Sequence, residues 1–167
     1  ETDPTILSAV LSKIPQALHS YYPQETQDWQ QKRKVWLQFF EQAYLVKIKA
    51  LGENPEVQRL WHQALVSLAE SPHIMNHYVD WLRGKGHKLG FSLNQEQRWA
   101  MLSKLTLFEH PQAESLLAQE KSQDPSKRGQ LQALYISTSQ PKESVKKEVY
   151  DKLLKQRDKK SLRQLVT

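Results

Sequence analysis

The sequence predicts an all-α protein, an irregular α-solenoid of antiparallel helical hairpins with about eight to nine helices. Three observations carry this. Six of the eight prolines (Pro4, Pro55, Pro72, Pro111, Pro125, Pro141) stand where an amphipathic segment begins. A proline costs little there, because the first helical N–H groups have no partner anyway. Apolar residues recur at three- and four-residue spacing. The chain has only five glycines, and no stretch alternates apolar and polar residues with β-branched enrichment, as strands do.

Taken in order, Asp3-Pro4 opens the first segment. There Ile6, Val10 and Ile14 share a face with Leu7, Leu11 and Leu18, and Pro15 is expected to kink or end the helix. From about Glu25 to Leu51 a long helix carries Trp29, Trp36, Phe40, Ala43, Tyr44 and Leu51. Asn54-Pro55 opens a helix with its stripe at Val57, Leu60, Trp61, Ala64, Leu65 and Leu68. Ser71-Pro72 opens one with Ile74, Tyr78, Trp81 and Leu82, closed by Gly84. Residues 84–91, with three glycines, form the candidate hinge. Asn94 caps a helix whose inner face is Met101, Leu102, Leu105 and Phe108. Asp124 is the expected N-cap of a helix with Pro125 first and Gly129 just inside. Pro141 leads a helix with Val145, Val149 and Leu153. Ser161–Thr167 reads as the start of one more. That truncated helix, and a first residue already beside a cap, suggest one helical domain cut from a longer chain.

The 167 residues carry a formal net charge of +6. Nine Lys/Arg against four acids place +5 of it in residues 142–167. Such a run can serve an anionic partner. Acids are interleaved, however, and Tyr150 is its single aromatic residue, so a solvated helix face is the preferred reading and no nucleic-acid partner is expected. No apolar run approaches the ~20 residues of a bilayer span, and no membrane partner is expected. There is no cysteine, which excludes disulfides and thiolate metal sites and accords with a cytoplasmic location.

No catalytic or metal-binding set is assigned. The zinc-peptidase signature needs two histidines one helical turn apart, a Glu beside the first as general base, and a third ligand downstream. His73-Ile74-Met75-Asn76-His77 has the spacing, but Ile74 occupies the position of the base. A surface pair is preferred. His62 reads as a helix-surface group, and His19, His87 and His110 fall at helix ends or in loops. Gly84-Lys85-Gly86-His87 lacks the full spacing of a phosphate loop.

Residues 81–146 add an ordered set of motifs. Leu82-Arg83-Gly84 ends a helix, Asn94 opens the next, and Arg98-Trp99 follow. Then come Glu120, the run Asp124-Pro125-Ser126-Lys127-Arg128-Gly129, Pro141 and Lys146. In order and spacing this stretch resembles the C-terminal helical (HEAT-like) domain of aminopeptidase N-type zinc metallopeptidases, in the version shared with the endoplasmic-reticulum aminopeptidases. Asn94 stands where that family often has Asp, and Tyr150 near a position that is often Trp.

The resemblance implies a non-catalytic domain that caps the active site of its parent and gates peptide access. Zinc would belong to a separate catalytic domain, the partner in cis, and this stretch would need no cofactor of its own. Arg98 is the candidate peptide-channel contact. Asn94, Trp99, Glu120, Asp124, Gly129, Pro141 and Lys146 are expected to be structural, with the five tryptophans in the core or between helices. The alternative is a free-standing helical-repeat adaptor that binds a protein along a concave face.

Overall fold

The computed structural model describes residues 3–20, 27–50, 55–85 and 92–156. Among the described residues the protein is all-α and holds no strand. Its helices are α1 (Pro4–Ser20), α2 (Gln27–Ala50), α3 (Pro55–Leu68), α4 (Pro72–Leu82), α5 (Gln95–Leu107), α6 (Ala113–Gln123), α7 (Lys127–Thr138) and α8 (Glu143–Gln156). The chain divides into two compact units, Glu1–Lys104 and Leu105–Thr167, so the division falls within the last turn of α5. Beyond Gly84 and Lys85, the candidate hinge lies outside the described residues, as do Leu51, Asn54, His87 and the expected terminal helix.

Side-chain oxygens open α1, α4 and α5. Asp3 Oδ1 accepts from Thr5 N at 2.7 Å, and Ser71 Oγ accepts from Ile74 N at 3.4 Å. Asn94 and Gln97 form a reciprocal capping box. Asn94 Oδ1 accepts from Gln97 N, and Gln97 Oε1 accepts from Asn94 N, each at 2.9 Å. Each cap is worth about 1 kcal/mol. Gly84 closes α4 with φ +83°, donating its N–H to Trp81 O at 3.0 Å, as a left-handed terminal residue does.

The prolines split into two groups. Pro4, Pro55 and Pro72 are first helical residues, while Pro111, Pro125 and Pro141 stand two residues ahead of α6, α7 and α8. At α7 the reason is visible. Ser126, not Asp124, is the N-cap, and its Oγ accepts from Gly129 N at 3.0 Å. Asp124 instead closes α6, and its Oδ1 accepts from Ser126 Oγ at 2.6 Å. A Cβ at position 129 would collide with the Asp124 carboxyl and carbonyl. Gly129 therefore makes room for the turn that precedes its own helix. Pro15 does not end α1, which runs on to Ser20; Leu18, one turn later, is buried and holds the last turn in place.

In the first unit α3 packs against both α1 and α2. Its buried residues include Leu11, Leu18, Leu37, Tyr44, Leu45, Ile48, Leu65, Leu68, Ile74, Tyr78, Trp81 and Leu102. Burying each large aliphatic side chain contributes about 1.5–3 kcal/mol. The register of the first two helices differs from the sequence reading. Ile6, Val10, Trp29 and Trp36 are exposed, while Leu37, Glu41, Tyr44, Leu45 and Ile48 turn inward. In α5, Met101, Leu102 and Leu105 are buried as predicted, but Phe108, just past its end, is exposed. In the second unit α7 packs on α6 and on α8, burying Gly129, Ala133 and Ile136.

The end of α5 is strained. Glu109 has φ +50°, while His110 N donates to Leu105 O at 2.9 Å and Glu109 N to Thr106 O at 3.2 Å. These two bonds make a Schellman motif, whose left-handed position favours glycine. Glu109→Gly is expected to raise stability by about 0.5–1 kcal/mol, read as a higher urea midpoint at unchanged slope.

Candidate functional site

The polar centre of the first unit lies at the turn from α3 to α4. Glu41, on the inward stripe of α2, is only 2% exposed. Its Oε1 accepts from Glu70 N at 2.7 Å and from Ser71 N at 3.0 Å. A carboxylate thus sits at the positive end of α4, where the helix dipole favours it. Arg33, two turns earlier on α2, grips Glu70 bidentately, through Nη2 to Oε1 at 2.6 Å and Nη1 to Oε2 at 2.9 Å. Its Nε donates to Leu18 O at 3.3 Å, joining the end of α1 to the same cluster. The bond to Glu70 holds the Arg33 pKa above its ordinary value. Lys104 of α5 donates to Ser67 O at 3.0 Å. Burial lowers its pKa, against the attraction of Glu70 and Glu41. Burial, with Glu41 adding to it, raises the Tyr78 pKa well above the phenol range.

Next to this cluster, α3 and α5 enclose a cleft of about 450 Å³ lined by Arg59, His62, Gln63, Asn94, Gln97 and Lys104 among others. His62 forms its inner wall. The sequence reading put His62 on the helix surface, but it is fully buried, with its ring 5.4 Å from that of Trp81. Burial lowers its pKa to about 4. At neutral pH it is an uncharged imidazole, able to donate from one ring nitrogen and accept at the other.

The motif residues lie at or near helix ends and turns within their own units. Both Arg98 Nη atoms donate to Leu82 O at 3.3 Å. The guanidinium thereby ties the end of α4, at Leu82-Arg83-Gly84, to the first turn of α5, and Trp99 beside it is buried. Glu120 is 2% exposed on the inward side of α6. Asp124 and Gly129 meet as described above. Pro141 precedes α8, and Lys146 N donates to Lys142 O at 3.1 Å at its start.

His73 and His77 lie 4.8 Å apart, ring to ring, with Trp81 stacked on His77 at 6.0 Å. Burial, and then His73, lower the pKa of His77. Ile74 between them is fully buried in the core, so the position that would need a general base faces away from the pair. Among the described residues no group of three or more His, Cys, Asp or Glu could hold a metal ion.

Sequence reasoning missed Arg33, Glu41, Glu70, Lys104 and the burial of His62. One signal was present. Glu41 falls on the repeat of Leu37, Tyr44, Leu45 and Ile48, a carboxylate at a core position. Such a residue is rarely buried without a partner. Trp29 and Trp36, expected in the core or between helices, are exposed, whereas Trp81 and Trp99 are buried.

Comparison with family models, with curated proteins and with solved structures gives no match to this chain.

Two outcomes follow from this geometry. Arg33→Ala leaves Glu70 beside Glu41 without its guanidinium and is expected to destabilise by about 1–3 kcal/mol. A double-mutant cycle with Glu70→Gln measures the coupling. His62 has its ordinary pKa near 6.5 when unfolded and one of about 4 when folded. Its contribution is unchanged above pH 6.5. Between pH 6.5 and 4 the unfolded state takes up a proton that the native state refuses, so stability falls, by about 3 kcal/mol in all. Urea unfolding across this range, compared with His62→Gln, gives the difference, and an NMR titration locates the folded pKa.

Proposed function

We propose that this chain is a non-catalytic helical domain of a zinc-dependent aminopeptidase. It caps the active site of the catalytic portion and gates the entry of peptides. One observation carries the reading: the Arg98 guanidinium on the Leu82 carbonyl. The two motifs at the heart of the resemblance, the Leu–x–Gly helix end and the Arg-Trp pair, are in hydrogen-bond contact, and what they do is fasten one helix to the next. That suits a domain whose work is shape. On this reading Arg98 serves to join the helices. Zinc, the catalytic base and the peptide-cleaving chemistry belong to the catalytic portion. The His73–His77 pair, with Ile74 turned into the core, does not fit a catalytic zinc.

A free-standing adaptor is the second reading. Leu131, Leu134 and Tyr135 on α7 favour it, each more than half exposed, as an apolar face awaiting a partner would be.

In the polypeptide encoded by the whole reading frame, deleting this region is expected to raise cleavage of large peptides relative to a leucine anilide, while the chain alone hydrolyses neither. A reading frame without His-Glu-x-x-His, or a purified chain that hydrolyses the anilide, overturns the proposal.

A further inference from the structure

Helix α2 is apolar on two opposite sides. Leu37, Tyr44, Leu45 and Ile48 face the core, while Val35 (55%), Trp36 (46%), Phe39 (58%) and Val46 (53%) are exposed on the other side, with Trp29 (40%) at its edge. At 1.5 Å per residue this strip runs for roughly 25 Å. Its rings touch one another, Trp36 and Phe39 meeting edge to face at 5.9 Å. The charges around it are of one kind. Lys32, Lys47 and Lys49 are exposed beside it, and against them stands one exposed acid, Asp28, already bonded to Lys32 at 2.7 Å; Lys34, also exposed, lies further round the helix. The other charges of the helix, Arg33 and Glu41, are spent on the turn before α4.

We propose that the outer face of α2 is a peripheral docking surface for an anionic lipid bilayer. An interfacial helix has this composition, with Trp, Phe and aliphatic side chains entering the headgroup boundary and lysines at the rim meeting lipid phosphates and carboxylates. Indoles favour that boundary, and long lysine stems lie along it with their ammonium groups in water. Other occupants fit less well. Lysine is depleted at protein interfaces, where arginine replaces it. A second copy would bring one lysine-rimmed strip against another. Single-stranded nucleic acid needs ring faces open for stacking, whereas Trp36 and Phe39 pack edge to face, with Val35 and Val46 between the lysines. No helix of the described residues is long and apolar enough to cross a membrane, but a helix lying in the interface needs no span. The sequence-based expectation of no membrane partner rested on that missing span.

The test is cosedimentation of the full chain with vesicles of phosphatidylcholine alone and with about one third phosphatidylserine. Binding to the anionic vesicles only is expected, with a blue shift of tryptophan emission. Phe39→Asp, at an exposed position and with its fold checked by circular dichroism, is expected to abolish it. Lys32→Glu with Lys47→Glu should weaken it by about 25-fold or more, at roughly fivefold for each lysine lost. Tyr150→Asp, at an exposed position on α8, should leave it unchanged. Absence of binding, equal binding to neutral vesicles, or binding that survives Phe39→Asp overturns the proposal. So does a Phe39-dependent dimer, or oligothymidylate that displaces the vesicles, since either gives the strip to another occupant.

Discussion

The first unit depends on where its one buried α2 carboxylate goes. Glu41 lies among leucines and tyrosines, a place where a carboxyl group needs hydrogen-bond partners. It finds the backbone N–H groups of Glu70 and Ser71, just where α4 begins and has donors to spare. Removing either side would leave the other buried and unsatisfied. That mutual need sets the depth at which α2 meets the α3–α4 turn. Arg33 then answers the second carboxylate, Glu70, and reaches on to Leu18 of α1. Two helices and a turn are thereby held by directional contacts in a core that is otherwise non-directional.

This arrangement also shapes the surface. With Arg33 and Glu41 turned inward, the charged residues left outside α2 are almost all lysines. The core takes Leu37, Tyr44, Leu45 and Ile48, and Val35, Trp36, Phe39 and Val46 are left on the far side. A helix of this kind cannot satisfy all its apolar residues with one neighbour. The polar network and the exposed strip are two consequences of one rotation of α2.

The motifs from Trp81 to Lys146 have a common physical character. Arg98 on the Leu82 carbonyl, the Asn94–Gln97 box, Ser126 on Gly129, and Asp124 against Gly129 all act at helix termini. The first three supply a partner to a backbone group that the helix itself leaves open, and Gly129 leaves room for Asp124. Residues of this type recur at fixed spacing because helix ends and turns have fixed geometry. A run of them marks how the helices are joined.

What the sequence determined alone was local. Helical spacing, caps and proline positions gave the all-α class, the starts at Pro4, Pro55, Pro72 and Gln95, and the stop at Gly84, because those signals act within one turn of the chain. The tertiary structure decided which side of each helix faces in. Trp29 and Trp36 looked like core residues by size, and His62 looked like surface by polarity, yet the reverse holds. Burial depends on what packs opposite, and for α2 that was settled by Glu70 and Ser71, some thirty residues away from Glu41. A contact across that distance leaves no period in the sequence, only a single carboxylate where an apolar residue belongs.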